Sequence, residues 1–212
     1  MTLDDIKAAL LKGLVLQDTT TAAWHEPGRD PETDDLASYA DPAGIDGCIL
    51  AQHVCNFTLW HIEDTARRTD VDDAVIADCK RRIDGWNQRR NDGMEKVDAA
   101  VIGRMQPLLP AYTGEPRYNT ESLGMAVDRM SILSLKIWHM DEQLLRTDVD
   151  AAHIQSCADK AGVLREQRRD LERSILQLLD DFTSGARQPR FYFQFKMYND
   201  PSLNPELYGT KQ

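Results

Sequence analysis

Two segments of the chain repeat each other at a spacing of 78 residues, and this self-similarity constrains the fold more than any other feature. "WHIEDTARRTDVDDAVIADC", Trp60 to Cys79, lies over "WHMDEQLLRTDVDAAHIQSC", Trp138 to Cys157, with ten of twenty positions identical. Glu63 and Asp64 fall over Asp141 and Glu142, so acidity persists where identity does not. Further on, "NQRRND" at Asn87 matches "EQRRDL" at Glu166 with one residue of slip. Each copy is the end of one apolar-periodic stretch, a corner of capping residues, and a second periodic stretch. Convergence of two well-capped corners would account for Arg-Thr-Asp but not for the Trp-His and Cys matches outside it. The repeat predicts a duplicated helical hairpin, over about residues 50–105 and 128–184, forming a four-helix core. Residues equivalent under a pseudo-two-fold axis would then approach one another: His61 and His139, Cys79 and Cys157, Arg90 and Arg168.

The rest of the chain reads as helical too, which predicts an all-α fold in a single domain, 1–212. A first helix is expected from about Thr2, its cap, to Leu16. His25 to Asp46 carries the Pro, Gly and Asp load of a long surface loop. Helices follow from about Asp46 to Arg68, Asp72 to Met105, Thr120 to Leu145 and Asp150 to Ser184. Thr120 is a candidate cap, and Gly185 a left-handed terminator. Residues 186–212, with alternating aromatics and then Asn, Asp and Pro, read as an extended arm.

A net charge of −10 argues against nucleic acid as the main partner, since a phosphate backbone needs a surplus of Lys and Arg. The greasiest stretch, Leu123 to Met140, contains Asp, Arg, Lys and His, so membrane insertion is not expected. The N-terminus lacks the pattern of a signal peptide, and four cysteines form no CxxC pair. A reduced, cytoplasmic protein is the expectation.

The helix "ESLGMAVDRMSILSLKIWHM" is apolar nearly all round, yet carries Glu121, Asp128, Arg129, Lys136 and His139. Some of these must be buried, and a buried charge costs several kcal/mol, on the order of its desolvation penalty, unless it is paired. Partners should come from neighbouring helices, with Arg90 and Arg168 first in line. Two readings stay open: a structural polar core, or a ligand site. In the second, Glu63, Asp64 and Asp128 project into the bundle and hold magnesium or manganese, because hard oxygens suit these ions. Arg90, Arg129, Lys136, Arg168 and Lys196 would neutralise phosphate, and Asn87, Asn91, Glu121 and Asn199 would orient the ligand. His61 and His139 would carry protons. Such a site binds a phosphorylated small molecule, a nucleotide or nucleotide sugar, and with the metal could hydrolyse it. A third reading is zinc at His153 and Cys157, four apart on a helix, joined by His61 or His139. His53 reads as a satisfied core histidine. The rival to all of these is a non-catalytic accessory protein with a purely structural core; a homodimer is compatible with either.

"NFTLWHIEDTAR", "RRIDGWNQRRNDGMEKVD", "NTESLGMAVDRMSILSLKIWHM", "QRRDL" and "FQFKMYNDPSLNPELY" together resemble the bacterial domain of unknown function 4254, over about Asn56 to Tyr208. The resemblance implies an all-helical fold, a site at these polar positions, and a link to envelope-polysaccharide assembly with a glycosyltransferase partner. A fainter likeness is to the MazG-type all-helical nucleotide pyrophosphatases, through "WHIED", "ESLG" and "EKVD". It implies acidic pairs holding magnesium against a nucleotide. Here the first segment lacks Glu-x-x-Glu, and Met125 replaces the Asp after Gly.

Overall fold

The computed structural model describes residues 1–193 and 200–209. Among these residues are six α-helices: α1 (Leu3–Trp24), α2 (Ile45–Ala66), α3 (Asp73–Met105), α4 (Leu123–Leu144), α5 (Ala151–Ser184) and α6 (Pro205–Tyr208). Among the described residues there is no strand. The family resemblance and the periodicity thus agree on an all-α fold. No described helix is long and apolar enough to cross a membrane.

The boundaries of α4 repeat those of α2 at the 78-residue shift, Ile45 to Leu123 and Ala66 to Leu144, and α5 begins 78 residues after α3. The two corners close alike. Arg68 Nε and Nη2 donate to Asp70 at 3.0 and 2.8 Å, and Arg146 Nε and Nη2 donate to Asp148 at 3.0 and 2.7 Å. Two donors on one planar guanidinium fix the carboxylate, which accounts for Arg and Asp two positions apart in both corners. Between its corner and α5, Asp150 caps the new helix by accepting from His153 N–H.

Two helix limits differ from those expected. The first helix does not stop near Leu16 but runs to Trp24. Thr20 and Thr21 donate their hydroxyls to the carbonyls of Leu16 and Gln17, both at 2.6 Å, so residues that compete with helix elsewhere are satisfied inside it. Packing then decides, because Gln17, Thr20, Thr21 and Trp24 are all buried. At the start of α4, Ser122 rather than Thr120 is the cap, accepting from Met125 N–H. Thr2 and Asp5 form a capping box at α1, and Gly185, at φ +78°, terminates α5 as expected. The arm carries the one-turn helix α6.

α1 is part of the core. Ile6, Leu10 and Leu14 recur every four residues and meet Ile45 and Ile49 of α2, Val97 and Val101 of α3, Val127 and Met130 of α4, and Ile175 and Leu179 of α5. A second cluster joins Trp24, Leu50, Val54, Phe57 and Leu135. Gly124 lets α4 approach α3: a Cβ there would stand 2.1 Å from the Met94 carbonyl oxygen.

Candidate functional site

Of the five ionisable groups on the greasy helix, Asp128 alone is buried, at 4% exposure. It is saturated. Arg90 donates Nε–H and Nη2–H to its two oxygens at 2.8 and 2.5 Å, and Gln52 and Asn56 donate amide N–H at 2.5 and 2.9 Å. The bond to Asp128 raises the Arg90 pKa further. The chain of bonds continues from Asn56, whose other amide hydrogen goes to Ser131 Oγ at 2.9 Å. Counting hydrogens orients the remainder. Thr21 spends its hydrogen on the Gln17 carbonyl, so it accepts from His53 Nε2–H at 3.0 Å. His53 Nδ1 is then an acceptor, taking the Ser131 hydroxyl at 2.7 Å. His53 is fully buried and satisfied; burial, with the nearby Arg168 charge, holds its pKa down at about 3.

The other four groups lie nearer the surface. Arg129 pairs with Glu121 at 2.7 Å, away from Asp128. Lys136 is exposed beside His139 and Trp60 on an apolar groove. Arg90 and Arg168, equivalent in the repeat, serve different acids. Arg168 is held by Asp18 and by the carbonyls of Leu14 and Met130; the position 78 residues before Asp128 is Leu50, so the repeat supplies no second acid for it.

Some of the residues expected to bind a ligand line one cavity. Asn56, Trp60, Glu63, Asp64, Arg67, Asn87 and Arg90 line a cavity of about 400 Å³. Arg67 pairs with Glu63 at 3.2 Å, and the buried Asn56 Oδ1 has no hydrogen-bond partner among the described residues. Asn91, one turn further along α3, is outside this lining, as are Glu121, Arg129 and Arg168. The metal set expected at Glu63, Asp64 and Asp128 does not gather as a group of three at ligand spacing. Asp128 is spent on Arg90 and two amides instead. Lys196 and Asn199 lie outside the described residues.

Three histidines do gather: His61 and His139, both named in the expected zinc set, with His25, which was not. One ring nitrogen from each of His25, His61 and His139 lies within 4.8 Å of the others, the group of three with that spacing among the described residues. His153 and Cys157 contact each other at 3.5 Å with no third ligand at that spacing. The rings are held flat by aromatic faces: His25 stacks on Trp138 at 3.3 Å, and His139 on Trp60 at 4.7 Å. Nδ1 of His25 faces the Thr21 carbonyl at 2.7 Å, Nδ1 of His61 the Phe57 carbonyl at 2.8 Å, and Nδ1 of His139 Glu142 Oε2 at 2.9 Å. Burial lowers the His25 pKa; its bond to the Thr21 carbonyl opposes that shift, and the neighbouring imidazoles add to it. His25 was missed because it opens a loop. A signal was present: three of the four tryptophans, Trp24, Trp60 and Trp138, are each followed by histidine, and these are the three histidines that meet. Burial pushes the Cys55 thiol up to about 11, so it is no thiolate nucleophile at neutral pH.

Fold and site define an all-helical protein with a hydrogen-bonded polar core, a polar cavity beside it and a cluster of converging imidazoles. The chain belongs to the family described as "Protein of unknown function (DUF4254)", whose model matches residues 46–191. Neither a curated protein nor a solved structure matches it.

Proposed function

We propose that the chain binds a phosphorylated small molecule, a nucleotide or nucleotide sugar, in the cavity between α2, α3 and α4, together with a magnesium ion. The observation that carries this is the composition of one wall-to-wall set: two guanidiniums, two amides, two carboxylates and an indole around about 400 Å³. That volume suits a small ligand. Arg90 keeps 31% of its side chain exposed while Asp128 fixes its plane, so its free N–H groups are preorganised for an oxyanion. Asn87, partly exposed on the cavity wall, offers an amide for a sugar hydroxyl, and Trp60 a flat surface for a base. With Asp128 counted, three acids oppose two arginines. A phosphate dianion therefore needs a cation with it, and Glu63 and Asp64 supply oxygens of the kind magnesium takes. Hydrolysis would follow if that ion also held a water.

The test is a thermal-shift screen of the purified chain with nucleotides, nucleotide sugars and sugar phosphates, each with and without magnesium. Expected is a rise in Tm that needs both components and is lost in Asp64→Asn and Asn87→Ala but kept in Glu121→Gln. A flat screen, or a shift that survives Asp64→Asn and Asn87→Ala, would overturn the assignment.

One observation favours a second reading. A groove of about 580 Å³ lined by Trp60, Met140, Val163 and Leu164 leaves Val163 53% exposed. Such a surface fits an accessory protein docking a partner, such as a glycosyltransferase of envelope-polysaccharide assembly. Co-purification with such an enzyme, abolished by Val163→Glu, would support it; unchanged co-purification would not.

A further inference from the structure

We propose that His25, His61 and His139 form a metal site that binds one zinc-class dication through their Nε2 atoms. The site is independent of the phosphate cavity and uses a different donor chemistry: imidazole nitrogen selects borderline transition metals, whereas magnesium takes oxygen.

The hydrogens carry the inference. A carbonyl oxygen can only accept, so His25 and His61, facing the carbonyls of Thr21 and Phe57 with Nδ1, carry their proton there. Each neutral ring then presents a bare lone pair at Nε2. Those two Nε2 atoms lie 3.2 Å apart. Two acceptors do not attract; the contact requires something positive between them. A proton would have to make one ring an imidazolium in a half-buried cluster of imidazoles. A metal ion needs no such charge on the rings. Two nitrogens bound to a tetrahedral zinc, each at about 2.0–2.1 Å, stand about 3.3 Å apart, which matches the observed separation.

His139 supplies the third donor. Its Nδ1 is engaged by Glu142, and its Nε2 is buried with no hydrogen-bond partner among the described residues. A carboxylate behind a histidine is the outer-shell arrangement that orients a ligand ring and raises its basicity. One ring nitrogen of each histidine lies within 4.8 Å of the others, so a small adjustment of the His139 ring closes the triangle. The stacked indoles of Trp138 and Trp60 fix the planes of His25 and His139. Three protein donors leave a fourth position for water or an anionic ligand, as in catalytic rather than structural zinc sites. The ligands come from the end of α1, from α2 and from α4, so the ion would also tie the N-terminal helix to both hairpins.

The experiment is a titration of the chelator-stripped full chain with zinc and with cobalt. Expected are one ion per chain and, with cobalt, intense visible absorption of four-coordinate geometry. His61→Ala and His139→Ala should each weaken uptake at least 100-fold, and Glu142→Gln by about tenfold. His153→Ala, on α5, should leave it unchanged. In case a histidine variant misfolds, nitrogen-15 spectra of the unaltered chain give a second readout. Of its five histidines, three should shift at Nε2 on adding zinc, and His53 and His153 should not. Absence of stoichiometric uptake overturns the proposal, as does uptake that persists in His61→Ala or is lost in His153→Ala.

Discussion

Asp128→Ala is the sharpest perturbation of the polar core, and its cost can be worked from the contacts. The carboxylate accepts four N–H groups: two from Arg90, one from Gln52 and one from Asn56. Their fates differ. Asn56 keeps Ser131 on one amide hydrogen but loses the acceptor of the other. Gln52 is fully buried, and its amide loses its acceptor, which costs about 1–3 kcal/mol. Arg90 is partly open to the cavity, so water recovers much of its solvation, and its share is about 1–2 kcal/mol after that discount. These two shares sum to about 2–5 kcal/mol, which spans the range for breaking a buried ion pair, and the orphaned Asn56 hydrogen adds to it. Urea unfolding followed by circular dichroism measures it directly. Adding Arg90→Met to Asp128→Ala should recover only the guanidinium's share, about 1–2 kcal/mol, because the Gln52 amide stays orphaned. Raising the salt should change the loss little, since the carboxylate is buried. A loss under about 1 kcal/mol, with the wild-type slope retained, would refute the accounting.

Acid should destabilise the protein through His53, whose folded pKa lies at about 3, well below its unfolded value. The neutral ring's contribution is complete above about pH 6.5 and declines as the pH falls toward 3, because the unfolded chain takes up the proton first. Between pH 7 and 5 the loss from this group is about 2 kcal/mol. His53→Gln should lower stability at pH 7 yet flatten the slope between pH 7 and 5; an unchanged slope would count against it. Gly124→Ala should cost about 3 kcal/mol, because its Cβ meets the Met94 carbonyl and Asp98 Oδ2. Gly162→Ala on α5 meets nothing within 4 Å and should stabilise by about 0.5–1 kcal/mol. Thermal melts of the two variants, shifting in opposite directions, check both.

Local chemistry determined much by itself. Helix periodicity, the Asp and Thr caps and the two Arg-Thr-Asp corners depend on neighbours within a few residues, so they are legible in one dimension. The five-helix order, the Gly185 terminator and the satisfied state of His53 all follow from such signals. The repeat placed His61 opposite His139, and their ring centroids do lie 5.8 Å apart. What the tertiary structure decided concerns partners distant along the chain. The length of α1 was settled by burial of Gln17, Thr20, Thr21 and Trp24, which outweighs threonine's weak helix propensity. The repeat leaves Leu50 where Arg168 would need an acid, and the partner it takes instead, Asp18, comes from α1, which only packing brings near. Asp128 left the expected carboxylate set for the same kind of reason: buried charge goes to the nearest full set of donors, and only packing determines which donors are near. His25, at the mouth of a loop, reached the histidine pair because helix α1 ends there. Its chemistry was visible in the Trp-His dipeptide, but its position depended on how α1 packs between α2 and α4.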